Sequence, residues 1–466
     1  MKQSYSNTAQ YLAQLKGVEL QIKQNQLQDA AQHLNLLVKS ASHDPRLFLL
    51  GSRLAEAARN PEGMLVAARK AHQLAPQWFV ATIHLAAVLA SRNEAEEAIA
   101  TAEQAIQQVT MQAVPNSDKE ELLTKAAAVA QRLGLHAKAL QWLRQAEQIN
   151  PDNLSILQQI ARSLIYSGEA VAAVDMLNDL LLRAPGNPTL LSDRLRACLD
   201  TRQTEQAIRD GEVLVALEPA NEVYRFYLDI ARGLTPTTQP AEVVTGLFDG
   251  YAARFDHHLV VQLQYKLPRD VAQMIRQWYP ELKVDVLDLG SGTGLLGAYL
   301  GRVNGALIGV DLSQEMIDKA AAHHVYDRFH RVNLLDALEA TPSDHYDVIT
   351  ALDVLTYVGE LDSVIPNAHR ILVPGGRFVF SCEAGAEGQA DYALQSSYRY
   401  THQRAYVQRL LEQAGFDAIE VKDRVLRQEA GEPVPGFLVT ARKQVRVPGK
   451  TAQRSPRNAR PARPRQ

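Results

Sequence analysis

The chain has 466 residues, a formal net charge of −3 and two cysteines, Cys198 and Cys382. That is length enough for two or three separately cored domains, and too few cysteines, too far apart, for a disulfide framework or a thiolate metal site. No run of about eighteen uncharged apolar residues occurs and the opening Met1-Lys2-Gln3-Ser4-Tyr5 lacks the apolar segment of an export signal, so the expectation is a soluble, cytoplasmic protein.

From about residue 118 to 219, three markers recur with a period of 34: Gly134 and Gly168; Ala139, Ala173 and Ala207; Pro151, Pro185 and Pro219. A helical hairpin repeated in series explains all three. Small residues sit where two helices cross closely, glycine at the turn between them, and proline where the second helix must stop. Looser copies precede these, with Ala71 and Pro76 keeping the spacing of Ala146 and Pro151, and Glu97-Ala98-Ile99 with Ala105 matching another second helix. The pattern resembles tetratricopeptide repeats. It predicts a helical superhelix over 1–234, with about six units between 9 and 219 and a capping helix near 222–233. The repeats depart from that family in lacking most of the early first-helix aromatics, and 107–117 reads as an insertion. A solenoid of this kind is expected either to bind a protein partner or self-associate, or to serve as a passive platform.

Prolines and hydroxyl residues in Gly233-Leu234-Thr235-Pro236-Thr237-Thr238-Gln239-Pro240 break the helical pattern, placing a linker at 235–244. Beyond it, short β-branched runs at 284–289, 306–311, 329–333, 346–351, 376–382, 417–422 and 436–441 alternate with helix-length segments. That alternation predicts a doubly wound, mostly parallel seven-stranded α/β domain over 245–443. The remainder, 444–466, carries Arg446, Lys450, Arg454, Arg457, Arg460, Arg463 and Arg465 with no acid and four prolines. This reads as a disordered basic tail, solubilising or able to hold nucleic acid phosphates.

The first of these strands runs into Asp288-Leu289-Gly290-Ser291-Gly292-Thr293-Gly294 and then a helix, Leu295 to Arg302. Glycine permits the sharp turn and lets the backbone approach a ligand with no Cβ in the way. The second strand ends at Asp311, where a carboxylate can accept both ribose hydroxyls of a nucleotide. A dinucleotide fingerprint would need its third glycine where this chain has Leu295. The G-x-G-x-G spacing instead resembles class I S-adenosylmethionine-dependent methyltransferases, over about 245–443. Phe248 to Leu259 and Tyr265-Lys266-Leu267-Pro268 resemble the lead-in of a bacterial subgroup that joins tetratricopeptide repeats to such a domain.

The resemblance implies S-adenosylmethionine as cofactor, S-adenosylhomocysteine as product and no metal. It carries a cofactor role onto Asp288, Gly290, Ser291, Gly292, Gly294 and Asp311. Asn333, or Asp336 nearby, would accept the adenine amino group. Leu312, Met316, Leu334 and Leu352 complete the expected cofactor set, and Tyr251 and Phe255 would cover it as a lid or merely pack a helix. Substrates should enter above the carboxyl ends of the strands, near Asp353, Tyr357, Glu383, Arg399, Tyr400 and His402, with His402 or Asp353 a candidate base. The pairs His257-His258 and His323-His324 diverge too far to chelate a metal. The expected activity is methyl transfer to a small-molecule or carrier-bound acceptor, or to a protein bound by the repeats. The alternative is a scaffold whose α/β domain binds nucleotide without catalysis.

Overall fold

In the computed structural model the chain divides into two compact units at His257–His258. Residues 8–112, 114–249, 265–388, 390–429 and 431–445 are described. Tyr251, Phe255, the pair His257-His258 and the basic tail from 446 onward lie outside them.

The first unit is a series of helical hairpins: α1 (Ala9–Lys23) with α2 (Leu27–Ser40), α3 (Pro45–Ala57) with α4 (Pro61–Leu74), α5 (Phe79–Ser91) with α6 (Ala95–Met111), α7 (Asn116–Arg132) with α8 (His136–Ile149), α9 (Leu154–Tyr166) with α10 (Ala170–Arg183), and α11 (Pro188–Asp200) with α12 (Thr204–Leu217). Then follow α13 (Glu222–Ala231) and α14 (Ala241–Asp249), the latter running through the expected junction. The fourth residue of the second helix is Ala30, Ala98, Ala139, Ala173 or Ala207, and Met64 in α4, every one buried. The alanines are small enough to let the paired axes approach. Each hairpin turns through one left-handed residue: Asn25, Arg59, Asn93, Gly134, Gly168 and Arg202. This is the residue past a helix end whose amide closes back on the last turn. Asp44, Asn60, Asn153, Asn187 and Asn221 cap the helices that follow them with side-chain oxygens. The expected insertion at 107–117 is mostly helix, since α6 and α7 each extend to 17 residues.

The second unit opens with α15 (Leu267–Trp278) and contains nine described strands rather than seven: β1 (Val286–Leu289), β2 (Leu307–Asp311), β3 (Arg328–Arg331), β4 (Tyr346–Ala351), β5 (Leu372–Ala384), β6 (Tyr392–Leu394), β7 (Tyr400–His402), β8 (Phe416–Glu429) and β9 (Glu432–Lys443). Parallel pairing joins β3, β2, β1, β4 and β5 in that order, and β9 and β8 continue it antiparallel from β5. The two additional strands are a short hairpin, β6–β7, whose second member pairs with the last residues of β5 through Glu383 and Thr401. Helices α16 (Leu295–Leu300), α17 (Gln314–Ala321), α18 (Leu334–Ala340), α19 (Val364–Ile371) and α20 (Arg404–Ala414) make the crossovers. Leu287, Leu289, Ile349, Phe378, Phe380 and Val439 of the strands pack with Val364, Ile365, Leu410 and Leu411 of the helices in one core. Strand order reverses between β1 and β4, which leaves a crevice at their carboxyl ends where ligands of open α/β sheets bind.

Candidate active site

The turn between β1 and α16 lies at that crevice. Gly290, Gly292 and Gly294 all have left-handed φ, at 67°, 53° and 82°, a region costly to any residue with a Cβ. Space forbids a side chain as well. A Cβ on Gly290 would lie 2.4 Å from Val354 Cγ2, and one on Gly294 2.9 Å from Ala320 Cβ. The backbone is thus pressed between the exit of β4 and α17.

Asp311, half-buried at the end of β2, ties this turn in place. Its Oδ2 accepts from the Gly292 amide at 2.8 Å and its Oδ1 from the Ser313 amide at 2.9 Å. A carboxylate placed here, at the end of the second strand, is of the kind that accepts from a diol. Ser313 in turn caps α17, its hydroxyl accepting from the Met316 amide.

Asp288 holds the turn from behind. It is 3% exposed, and its two oxygens accept from Tyr326 Oη and Thr350 Oγ1, each at 2.7 Å. Burial pushes its carboxyl up to about 6, the two hydroxyls oppose the rise, and Asp311 adds to it. Tyr326 Oη also accepts from the Gly297 amide in α16, and its ring stacks at a tilt on Phe329. Asp288 therefore organises the glycine turn, each of its oxygens accepting one hydroxyl.

The remaining expected cofactor residues are placed as follows. Ser291 Oγ is buried without a partner among the described residues, while its amide donates to Val310 O. Leu312 is half-buried, and Met316, Leu334 and Leu352 are buried. Asn333 caps α18, its Oδ1 accepting from the Leu335 amide at 2.9 Å, whereas Asp336 is exposed. His323 Nε2 meets Thr293 O at 3.1 Å, away from any pairing with His324.

Four of the six expected substrate residues converge at the ends of β4 and β5. Asp353, left-handed at φ 56°, follows β4 directly, and its amide donates to Ser381 Oγ at 2.8 Å. Glu383 closes β5 and accepts from Thr356 Oγ1 at 3.1 Å. Both carboxylates bind Arg427 of β8, which is 3% exposed: Nη1 donates to Asp353, Nη2 to Glu383 at 2.5 Å, and Nε to Glu429 at 3.0 Å. Arg399 pairs with Glu429 and donates to Tyr357. Burial pushes Asp353 up to about 6 against the pull of Arg427, with Glu383 adding to the rise. Burial likewise takes the Tyr357 phenol up to about 12.

The other two expected substrate residues are core. Tyr400 is fully buried, edge-on to Tyr392. His402 is fully buried, its Nε2 placed 2.9 Å from both Val358 O and Gly359 O, and burial lowers its pKa to about 4. An imidazole whose Nε2 is spent on carbonyls and whose Nδ1 is buried without a partner cannot reach an acceptor, so His402 is a strand-locking residue and not the base. Tyr326, Thr350, Arg427 and Glu429 were not anticipated. Arg427 had no signal in strand alternation, because a bulge between Val425 and Arg427 shifts the register; Val425 is left exposed and Arg427 buried.

Residues 287–378 match the family model described as Methyltransferase domain. The ubiquinone biosynthesis O-methyltransferase of Nitrosospira multiformis is 30% identical over 154 residues, covering 29% of this chain and 64% of that protein. The chain thus spans less than two thirds of that relative's length. Magnesium protoporphyrin IX methyltransferase from Synechocystis with bound SAH aligns at 18% identity, covering 38% of this chain and 83% of that one, with a TM-score of 0.30. For pilF of Pseudomonas aeruginosa the values are 17% identity, 46% and 95% coverage and a TM-score of 0.38. The α/β unit carries a methyltransferase domain of the class I type.

Proposed function

We propose that the protein transfers a methyl group from S-adenosylmethionine to a small or carrier-bound acceptor seated at the carboxyl ends of β4 and β5. The observation that carries this reading is the glycine turn tied by its Gly292 amide to Asp311. Three left-handed glycines, two of them (Gly290 and Gly294) without room for a Cβ, suit close approach of a ligand to backbone, and the Asp311 carboxylate suits a ribose diol. These residues fit the cofactor, with Gly290, Gly292 and Gly294 beneath it, Asp311 at the ribose and Asn333 the candidate for the adenine edge. When bound, S-adenosylmethionine supplies an activated methyl group on a sulfonium, so the protein's task is to orient the acceptor and exclude water. The Arg427-centred cluster is rigid enough to position it, since each of its carboxylates is held by a guanidinium.

The helical unit is read as the recruiting half, binding a protein partner or a second copy. A cleft of about 440 Å³ lined from α3, α4, α5 and α7, with Arg53, Glu56, His84, Lys125 and Arg132 among its polar residues, supports that role. Among the described residues no helix is long and apolar enough to cross a membrane, and a cytoplasmic site of action is part of the proposal. The test is transfer of labelled methyl from S-adenosylmethionine into a size-fractionated cell extract. Label in small molecules supports the reading; label only in protein favours an acceptor held by the repeats; no label in any fraction counts against methyl transfer.

A further inference from the structure

Resting on the methyltransferase reading, we infer that the crevice at the ends of β4 and β5 takes an acceptor bearing a hydroxyl or an amine and disfavours carboxylates and phosphates, with Asp353 receiving the acceptor's proton.

The charge arrangement carries this. Arg427 directs donors from all three of its nitrogens at carboxylates, namely Asp353, Glu383 and Glu429. Arg399 is taken by Glu429 and Tyr357. An anionic acceptor is best held by a guanidinium or ammonium not already paired with carboxylates; every nitrogen of Arg427 is so paired, and Arg399 is engaged by Glu429 and Tyr357. Among the described residues, three carboxylates against two guanidiniums leave a surplus of negative charge within the cluster, which repels an anion and attracts a donor or a cation.

Of the two carboxylates at the strand ends, Asp353 is the one with open surface. Its side chain is 18% exposed, against 9% for Glu383 and 3% for Arg427. Its place next to the glycine turn is fixed, because the following residue, Val354, is the one a Cβ on Gly290 would strike. Burial raises the Asp353 carboxyl to about 6, so it is ionised at neutrality and basic enough to take a proton. In the step inferred, the acceptor oxygen or nitrogen bonds to the methyl carbon. The carbon–sulfur bond breaks with its electron pair left on sulfur, and the proton leaving the acceptor passes to Asp353. Charge balances: a sulfonium and a carboxylate become a thioether and a carboxylic acid.

The test is a ligand-observed NMR titration of the full chain, saturated with S-adenosylhomocysteine, against four matched fragments: phenol, benzylamine, benzoate and phenyl phosphate. Phenol or benzylamine is expected to bind at least about tenfold more tightly than either anion, the factor that one charge-assisted hydrogen bond confers. Asp353→Asn, verified as folded by circular dichroism, is expected to bring that ratio close to one. Equal or tighter binding of benzoate or phenyl phosphate by the wild-type protein overturns the inference, as does binding of none of the four; the wild-type comparison decides even where the variant does not fold. Failure of S-adenosylhomocysteine itself to bind is a different outcome, and removes the methyltransferase reading beneath it.

Discussion

Tyr326 joins two parts of the site through one hydroxyl: it donates to Asp288 at the end of β1 and accepts from Gly297 in α16, while its ring fills the space that the missing side chain of Gly297 leaves. Tyr326→Phe keeps the ring and strands a buried carboxylate oxygen and an amide. It is expected to cost about 1–3 kcal/mol of stability, read as a lowered urea midpoint, and to weaken S-adenosylhomocysteine binding by calorimetry. An unchanged midpoint would contradict the assignment. Asp353 makes a pH prediction. Its folded pKa, near 6, lies above the ordinary carboxylate value, so its neutral form is favoured on folding. That contribution to stability is present in acid and is lost as pH rises through 6, while the ionised base appears over the same interval. With an alcohol or amine acceptor, kcat/KM should rise about tenfold per pH unit below 6 and level off above it. Asp353→Asn should remove that limb; a limb that persists would place the base elsewhere. Single residues were also where sequence reading was weakest. Asp311 and the glycines announce themselves by spacing, whereas His402 and Tyr400, expected at the substrate, are buried by the β6–β7 hairpin, too short to register as strands.

At the scale of elements, the hairpin turns show why only part of the repeat was legible. Gly134 and Gly168 mark two turns, but the same left-handed position holds Asn25, Arg59, Asn93 and Arg202 in the others. Asparagine tolerates that conformation and arginine does so under strain, so the period fades where glycine is replaced. The seven main strands were legible because each is a short apolar run between turn signals. The β8–β9 pair was found without its consequence, since the bulge that turns Arg427 inward leaves no mark in composition. Arg427→Met tests that element directly. It leaves Asp353, Glu383 and Glu429 sharing a site with Arg399 as the one remaining cation of the cluster among the described residues, and is expected to destabilise the α/β unit by about 3–5 kcal/mol in urea unfolding. A loss below about 1 kcal/mol, the range of exposed ion pairs, would show that the cluster is solvated rather than buried.

At the scale of the molecule, two units with separate cores divide the work proposed for it. In that proposal the serial hairpins offer surface to a partner, and the sheet has a crevice at its switch point. The most direct measurement is a calorimetric titration of the full chain with S-adenosylmethionine and S-adenosylhomocysteine, beside Asp311→Ala and Gly292→Val. The account predicts saturable binding of both by the wild-type protein and its loss in both variants, with the helical signal of the first unit retained. Absence of binding by the wild-type protein, or binding undiminished in Asp311→Ala, would contradict it.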